Sequence, residues 1–135
     1  MKLNPYLQFQ GNAEEVLNFY ATALNGTILS VQRYGDSPMP SDEDYKQKII
    51  HARLTFDDNL IMISDTFKGQ TVSTGGNIQL SVEVENEGEI DSLFNNMAEG
   101  GTVTMPLQGT FWGARFGMLK DKFGVNWMFN HEMKK

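Results

Sequence analysis

The stretch NIQLSVEVENEGEIDSLFNNMAEGG, residues 77–101, decides the fold, because its pattern has already occurred once earlier in the chain. Ile78, Leu80, Val82 and Val84 alternate with Asn77, Gln79, Ser81 and Glu83, the period of a strand with one apolar and one polar face. Ile90, Leu93, Phe94 and Met97 then recur at helical spacing until Gly100 and Gly101 stop the run. Near the N-terminus, PYLQFQ (5–10) sets Leu7 and Phe9 against Tyr6, Gln8 and Gln10 in the same alternation. Gly11 and Asn12 supply a turn and an N-cap, and Glu14 and Glu15 fall in the first helical turn, where the dipole favours negative charge. Val16, Leu17, Phe19, Tyr20 and Leu24 continue a helix that Asn25 and Gly26 end. A strand followed by a helix therefore opens both halves.

Working outward, TILSVQRY (27–34), IIHARLTF (49–56) and LIMISD (60–65) are predicted strands, the last two joined by a short turn at residues 57–59. The polar loop GDSPMPSDEDYKQK (35–48) has the length of a lid or a mobile edge. Beyond the second helix, TVTMPLQ (102–108), ARFGMLKD (114–121) and VNWMFN (125–130) are three more strands. Each half reads β-α-β-β-β. The fold class is α+β: two paired modules, about 1–67 and 77–131, in a single domain spanning 1–135, with mixed curved sheets expected to enclose a cavity. The Gly-rich KGQTVSTGGN (68–77) connects the modules, and a homodimer with modules exchanged between chains needs only that it stay extended.

Composition narrows the function. A chain of 135 residues with 40% hydrophobic content can bury an ordinary core, and the absence of Cys excludes disulfides, a thiolate nucleophile and Cys-rich zinc sites. Lys plus Arg number 11 against 17 Asp plus Glu, with no basic cluster, which argues against nucleic acid as a partner. The opening MKLNPYLQFQGN holds too short an apolar run for a signal segment or a membrane span, so a cytoplasmic location and no membrane partner are expected. No phosphate-cradling, nucleophile-elbow or zincin motif occurs.

The segments PYLQFQGNAEEVLNFY (5–20), HARLTF (51–56) with LIMISD (60–65), and FWGARFGMLKDKFGVNW (111–127) together resemble the PhnB-like branch of the vicinal oxygen chelate superfamily, which includes glyoxalase I, extradiol dioxygenases, and fosfomycin and bleomycin resistance proteins. The resemblance covers essentially the whole chain, with Ala114 standing where the branch more often has Asp and Lys122 where it more often has Pro. It implies a small-molecule ligand and, in metal-dependent members, a divalent ion held by His, Glu or Gln from four strands. Carried onto this chain, the ligand positions fall at Asn4 or Pro5, with strand alternation favouring Asn4, and at Ser64, Asn77 and Met128. Asn and Ser oxygens are neutral, weak donors and Met is a soft one, so no metal and no other cofactor is expected.

The expected ligand pocket comprises Asn4, Tyr6, Gln8, His51, Met62, Ser64, Asn77, Gln79, Phe111, Trp112, Arg115 and Met128, with Ser81 on the same polar side as Gln79. His51 alternates with Ile50 and Ala52 and so shares the polar side of its strand with Arg53 and Thr55; it is the candidate general base. Arg115 is the candidate clamp for an anionic group, or else the partner of an acidic residue on a second subunit. Asp65 either pairs with Arg53 or caps the loop after it, and His131 is expected at the surface. The leading expectation is a metal-free, dimeric small-molecule-binding protein. The alternative is an enzyme of lyase, isomerase or oxygenase type acting through His51, or through a metal at unusual positions.

Overall fold

The computed structural model describes residues 1–38 and 40–133 and divides into two compact units, Met1–Ser73 and Thr74–Lys135. In the first, β1 (Tyr6–Phe9), α1 (Ala13–Ala23), β2 (Thr27–Arg33), β3 (Ile49–Phe56) and β4 (Asn59–Asp65) form a four-stranded sheet in the order β1-β4-β3-β2. β1 runs parallel to β4 and the other pairs are antiparallel. The apolar stripe of α1 (Val16, Leu17, Tyr20 and Ala23) is buried, as are Ile49, Ala52, Leu54, Ile61 and Ile63 on the strands it packs against. Each large side chain so buried contributes roughly 1.5–3 kcal/mol. Asn25 at φ 54° takes the left-handed conformation that lets the chain leave the helix.

The entry to α1 is organised by tertiary contact. Asn12 occupies the N-cap position but makes no side-chain cap bond. Instead Asp65, only 2% exposed at the end of β4, accepts from Ala13 N through Oδ1 and from Ile49 N through Oδ2, both at 2.9 Å. Asp65 is thus a helix cap and strand tie, not a partner of Arg53. The long polar loop after β2, of which residue 39 lies outside the described residues, is tied to the end of β4 and the segment after it at several points. The Tyr34 hydroxyl donates to the Asp65 carbonyl and the Tyr45 hydroxyl to the Thr66 carbonyl, with the two rings 5.1 Å apart. Lys68 reaches Asp42 and Asp44.

The second unit repeats the plan with β5 (Leu80–Glu83), α2 (Glu87–Ala98), β6 (Thr102–Gly109), β7 (Ala114–Lys120) and β8 (Asn126–Glu132) in the order β5-β8-β7-β6, β5 being parallel to β8. Ile90, Phe94 and Met97 of α2 are buried, together with Leu119, Trp127 and Phe129, and the Phe94 and Phe129 rings meet edge to face at 5.9 Å. A methyl group added at Gly117 would lie 2.8 Å from the Phe94 ring and 3.0 Å from Leu107, so the absence of a side chain lets the helix seat on the sheet. Asp121 accepts from Phe123 N, Val125 N and Trp127 Nε1, which fixes the β7–β8 turn to the core.

Two expectations change here. β5 begins at Leu80, leaving Asn77, Ile78 and Gln79 ahead of the strand and exposed. His131 is 7% exposed, not at the surface, with Nδ1 2.8 Å from the Val84 carbonyl. The two sheets are mixed and match the expected class, but neither closes on itself; each carries the helix of its own unit on one face.

Candidate functional site

Strand alternation sorts the first sheet into two faces. Ala52, Leu54, Ile61 and Ile63 point to α1. The opposite face presents two cross-strand rows. Tyr6 is in register with Met62, Met62 with Arg53, and Arg53 with Ser30; alongside, Gln8 is in register with Ser64, and His51 with Gln32. The rows are linked by the Tyr6 hydroxyl, 3.4 Å from His51 Nδ1, their rings 5.8 Å apart. Tyr6 is 45% exposed, Gln8 and Arg53 are exposed, and Ser64 is buried. A face of hydroxyl, amide, imidazole and guanidinium groups around one thioether offers donors and acceptors for orientation and a little apolar surface for contact.

The structure therefore brings together Tyr6, Gln8, His51, Met62 and Ser64 of the expected pocket, with Asn4 just before β1. Arg53 belongs to the same constellation. Alternation placed it on the polar side of β3, yet the sequence offered no reason to prefer it over Arg115, because the partners of either side chain come from distant segments.

The remaining expected residues lie in the second unit. Met128 is half-buried and in register with Ser81 on the face away from α2, beside Asn130, whose Nδ2 donates to both Glu83 oxygens. Asn77 and Gln79 precede β5, and Gln79 lines a depression of about 310 Å³ with Thr74, Gly75, Lys120 and Asn126. Phe111, 98% exposed, and Trp112 occupy the turn between β6 and β7, their rings edge to face at 5.0 Å, and Trp112 leans on Phe116. Arg115 sits on the opposite, helix-covered side. Its guanidinium donates to Asp91 of α2 at 2.6 Å, and this hydrogen bond raises the Arg115 pKa and lowers that of Asp91. The carboxylate partner expected from a second subunit is supplied by the chain itself.

The four positions carried over for metal ligands provide two amide side chains, a hydroxyl and a thioether. Asn77 lies off its strand, and no group of three or more His, Cys, Asp or Glu side chains able to hold an ion occurs among the described residues. Such a donor set lacks the carboxylates and imidazoles that hold a catalytic divalent ion and does not fit one.

Residues 1–129 match the family described as 3-demethylubiquinone-9 3-methyltransferase. The chain is 31% identical to the protein YjdN of Escherichia coli, over 96% of this chain and 95% of that protein. Among solved structures, protein PA1353 from Pseudomonas aeruginosa is 42% identical with a TM-score of 0.89, covering 99% of both chains. A PhnB protein from Bacillus cereus is 32% identical with a TM-score of 0.81, covering 97% of this chain and 99% of that one. A glyoxalase/bleomycin resistance protein/dioxygenase domain from Frankia, 16% identical with a TM-score of 0.72 over 99% and 93% of the two chains, shares the fold.

Proposed function

The chain belongs to the PhnB-like family described as 3-demethylubiquinone-9 3-methyltransferase, with the fold of the glyoxalase, bleomycin resistance and dioxygenase proteins, and from that membership we propose that it is a cytoplasmic, homodimeric small-molecule-binding protein with no resident catalytic metal. The observation that carries this reading is the polar face of the first sheet. The apolar core lies on the α1 side, so Tyr6, Gln8, His51, Arg53 and Met62 are not needed to complete it, and they stand in register with their polar groups accessible. Convergent polar groups on a rigid sheet are the usual elements of a small-molecule site.

The methyl transfer in the family's description requires S-adenosylmethionine, and the residues present do not fit it. The start of α1 is closed by the Asp65 carboxylate, and the single glycine of that turn has its carbonyl bonded to Lys48 Nζ at 2.7 Å. The start of α2 is bordered by Glu85, Glu87 and Glu89, with Asn86 already capping Gly88 N. Neither turn offers a glycine-rich cradle open to the cofactor.

Native mass spectrometry of protein purified without added metal, before and after denaturation and paired with elemental analysis, tests the proposal. The expected result is a dimer without stoichiometric metal and with a copurified organic mass. Stoichiometric nickel, cobalt, manganese or zinc would overturn it and bring forward the enzymatic reading.

The contact between Tyr6 and His51 favours that second reading, a lyase, isomerase or oxygenase type of enzyme with His51 as general base. When Nδ1 carries the proton toward the Tyr6 oxygen, Nε2 is the basic nitrogen. Turnover abolished by His51→Ala, with binding retained, would establish it; turnover unaffected by His51→Ala would remove His51 from the chemistry.

A further inference from the structure

The chain holds three arginines, and the structure commits two of them. Arg33 makes a two-pronged contact with Glu14, its Nη1 and Nη2 lying 3.0 and 2.9 Å from the two carboxylate oxygens, and Arg115 is bonded to Asp91. Arg53 differs. Its guanidinium is tethered through Nε to the Ser30 hydroxyl at 3.2 Å, and no carboxylate of the described residues lies within ion-pairing distance. A neutral hydroxyl satisfies one donor and leaves the terminal Nη1 and Nη2 pair uncommitted.

This occurs in a chain of net charge −6 with 17 carboxylates, where an exposed arginine has many opportunities for an ion pair. The surroundings exclude one: the rows around Arg53 are made of Tyr6, Met62 and Ser30, then Gln8, Ser64 and His51. Asp65, the carboxylate at the end of β4, faces the helix and is held by two backbone N–H groups. The polar face thus bears a fixed positive charge with a planar fork of free donors and no negative charge of its own. That arrangement matches an anionic group that presents two charged oxygens side by side, as a carboxylate or a phosphonate does. Met62, between Tyr6 and Arg53 in register, supplies apolar surface beside the fork for the body of such a molecule.

We propose that Arg53 is an anion-binding residue and that the ligand of this face is a small organic carboxylate or phosphonate, oriented by the terminal nitrogens of Arg53 with the Tyr6 hydroxyl and His51 at hand. The proposal rests on the small-molecule reading of the same face. It moves the anion clamp from Arg115, which is neutralised by Asp91, to the arginine that is not.

The test is a titration of the intact protein followed by amide and arginine-side-chain NMR signals, with benzoate, phenylphosphonate and the neutral analogue benzamide as probes. At least one anion is expected to perturb the signals of Gln8, Arg53, Met62 and Ser64 with an affinity about tenfold above that of benzamide. Arg53→Met and Arg53→Gln, each required to keep a dispersed native spectrum, are expected to remove that preference. The ranking of benzoate against phenylphosphonate then distinguishes the two chemistries. Benzamide binding this face as tightly as the anions, or a preference that survives in both variants, overturns the anion proposal and leaves small-molecule binding standing. In protein whose native mass shows no copurified ligand, no perturbation of the face by any of the three probes overturns both.

Discussion

Each unit has a buried aspartate that accepts several hydrogen bonds, from distant segments at Asp65 and from the following turn and strand at Asp121. Asp65 joins the start of α1 to the start of β3, and Asp121 joins the β7–β8 turn to the Trp127 indole. Removing Asp65 leaves two backbone N–H groups without an acceptor in a dry setting. Asp65→Ala is therefore expected to cost about 2–4 kcal/mol in urea unfolding, with Asp65→Asn intermediate because the amide offers one oxygen. A loss below about 1 kcal/mol for the alanine variant would show that the carboxylate does not cap the helix. The surface pair Arg33–Glu14 behaves differently. Its hydrogen bond holds the Glu14 carboxyl below the ordinary value of 4.5, so its contribution is present above that pH and is lost as the pH falls through the lowered value of the folded state. Exposure and screening limit it to about 0.5 kcal/mol, and a double-mutant cycle at pH 7 is expected to read that coupling and to lose it at pH 2.

At the scale of elements, the second unit depends on how closely α2 approaches its sheet. Gly117→Ala forces either the Phe94 ring or Leu107 to move, and an overpacked core of this kind is expected to lose about 1–3 kcal/mol in thermal or urea unfolding. Native stability in that variant would mean that the helix can lift without loss. The sequence pattern located every strand and both helices within a few residues, because the apolar periods of 2 and 3.6 survive in each element. It failed at element ends. β5 stops short of Asn77 because apolar–polar alternation continues into residues that pair with nothing. The loop after β2 has a mobile loop's composition, but Tyr45, Tyr34 and Lys68 tie it to the strand ends. Those tethers join residues about 20–30 positions apart, beyond the reach of any local pattern.

At the scale of the whole molecule, the match over residues 1–129 is what places the chain in its family, and that match brings a methyltransferase description for which neither helix-opening turn offers a cofactor cradle. Isothermal calorimetry with S-adenosylmethionine is expected to show no binding, and micromolar affinity would overturn that expectation. By itself the sequence determined the element order, the two-module α+β class, and which side of β1 and β3 is polar, since all three depend on periodicity within a single segment. The polar side of the first sheet, with Tyr6, Gln8, His51, Met62 and Ser64, was legible on that basis. What only the tertiary structure decided was the pairing of charges: Asp65 with two backbone N–H groups, Arg115 with Asp91, His131 with Val84, and Arg53 with no carboxylate among the described residues. Charge pairing acts over a few ångströms between residues remote in the chain, so the sequence supplied the candidates and the fold chose among them.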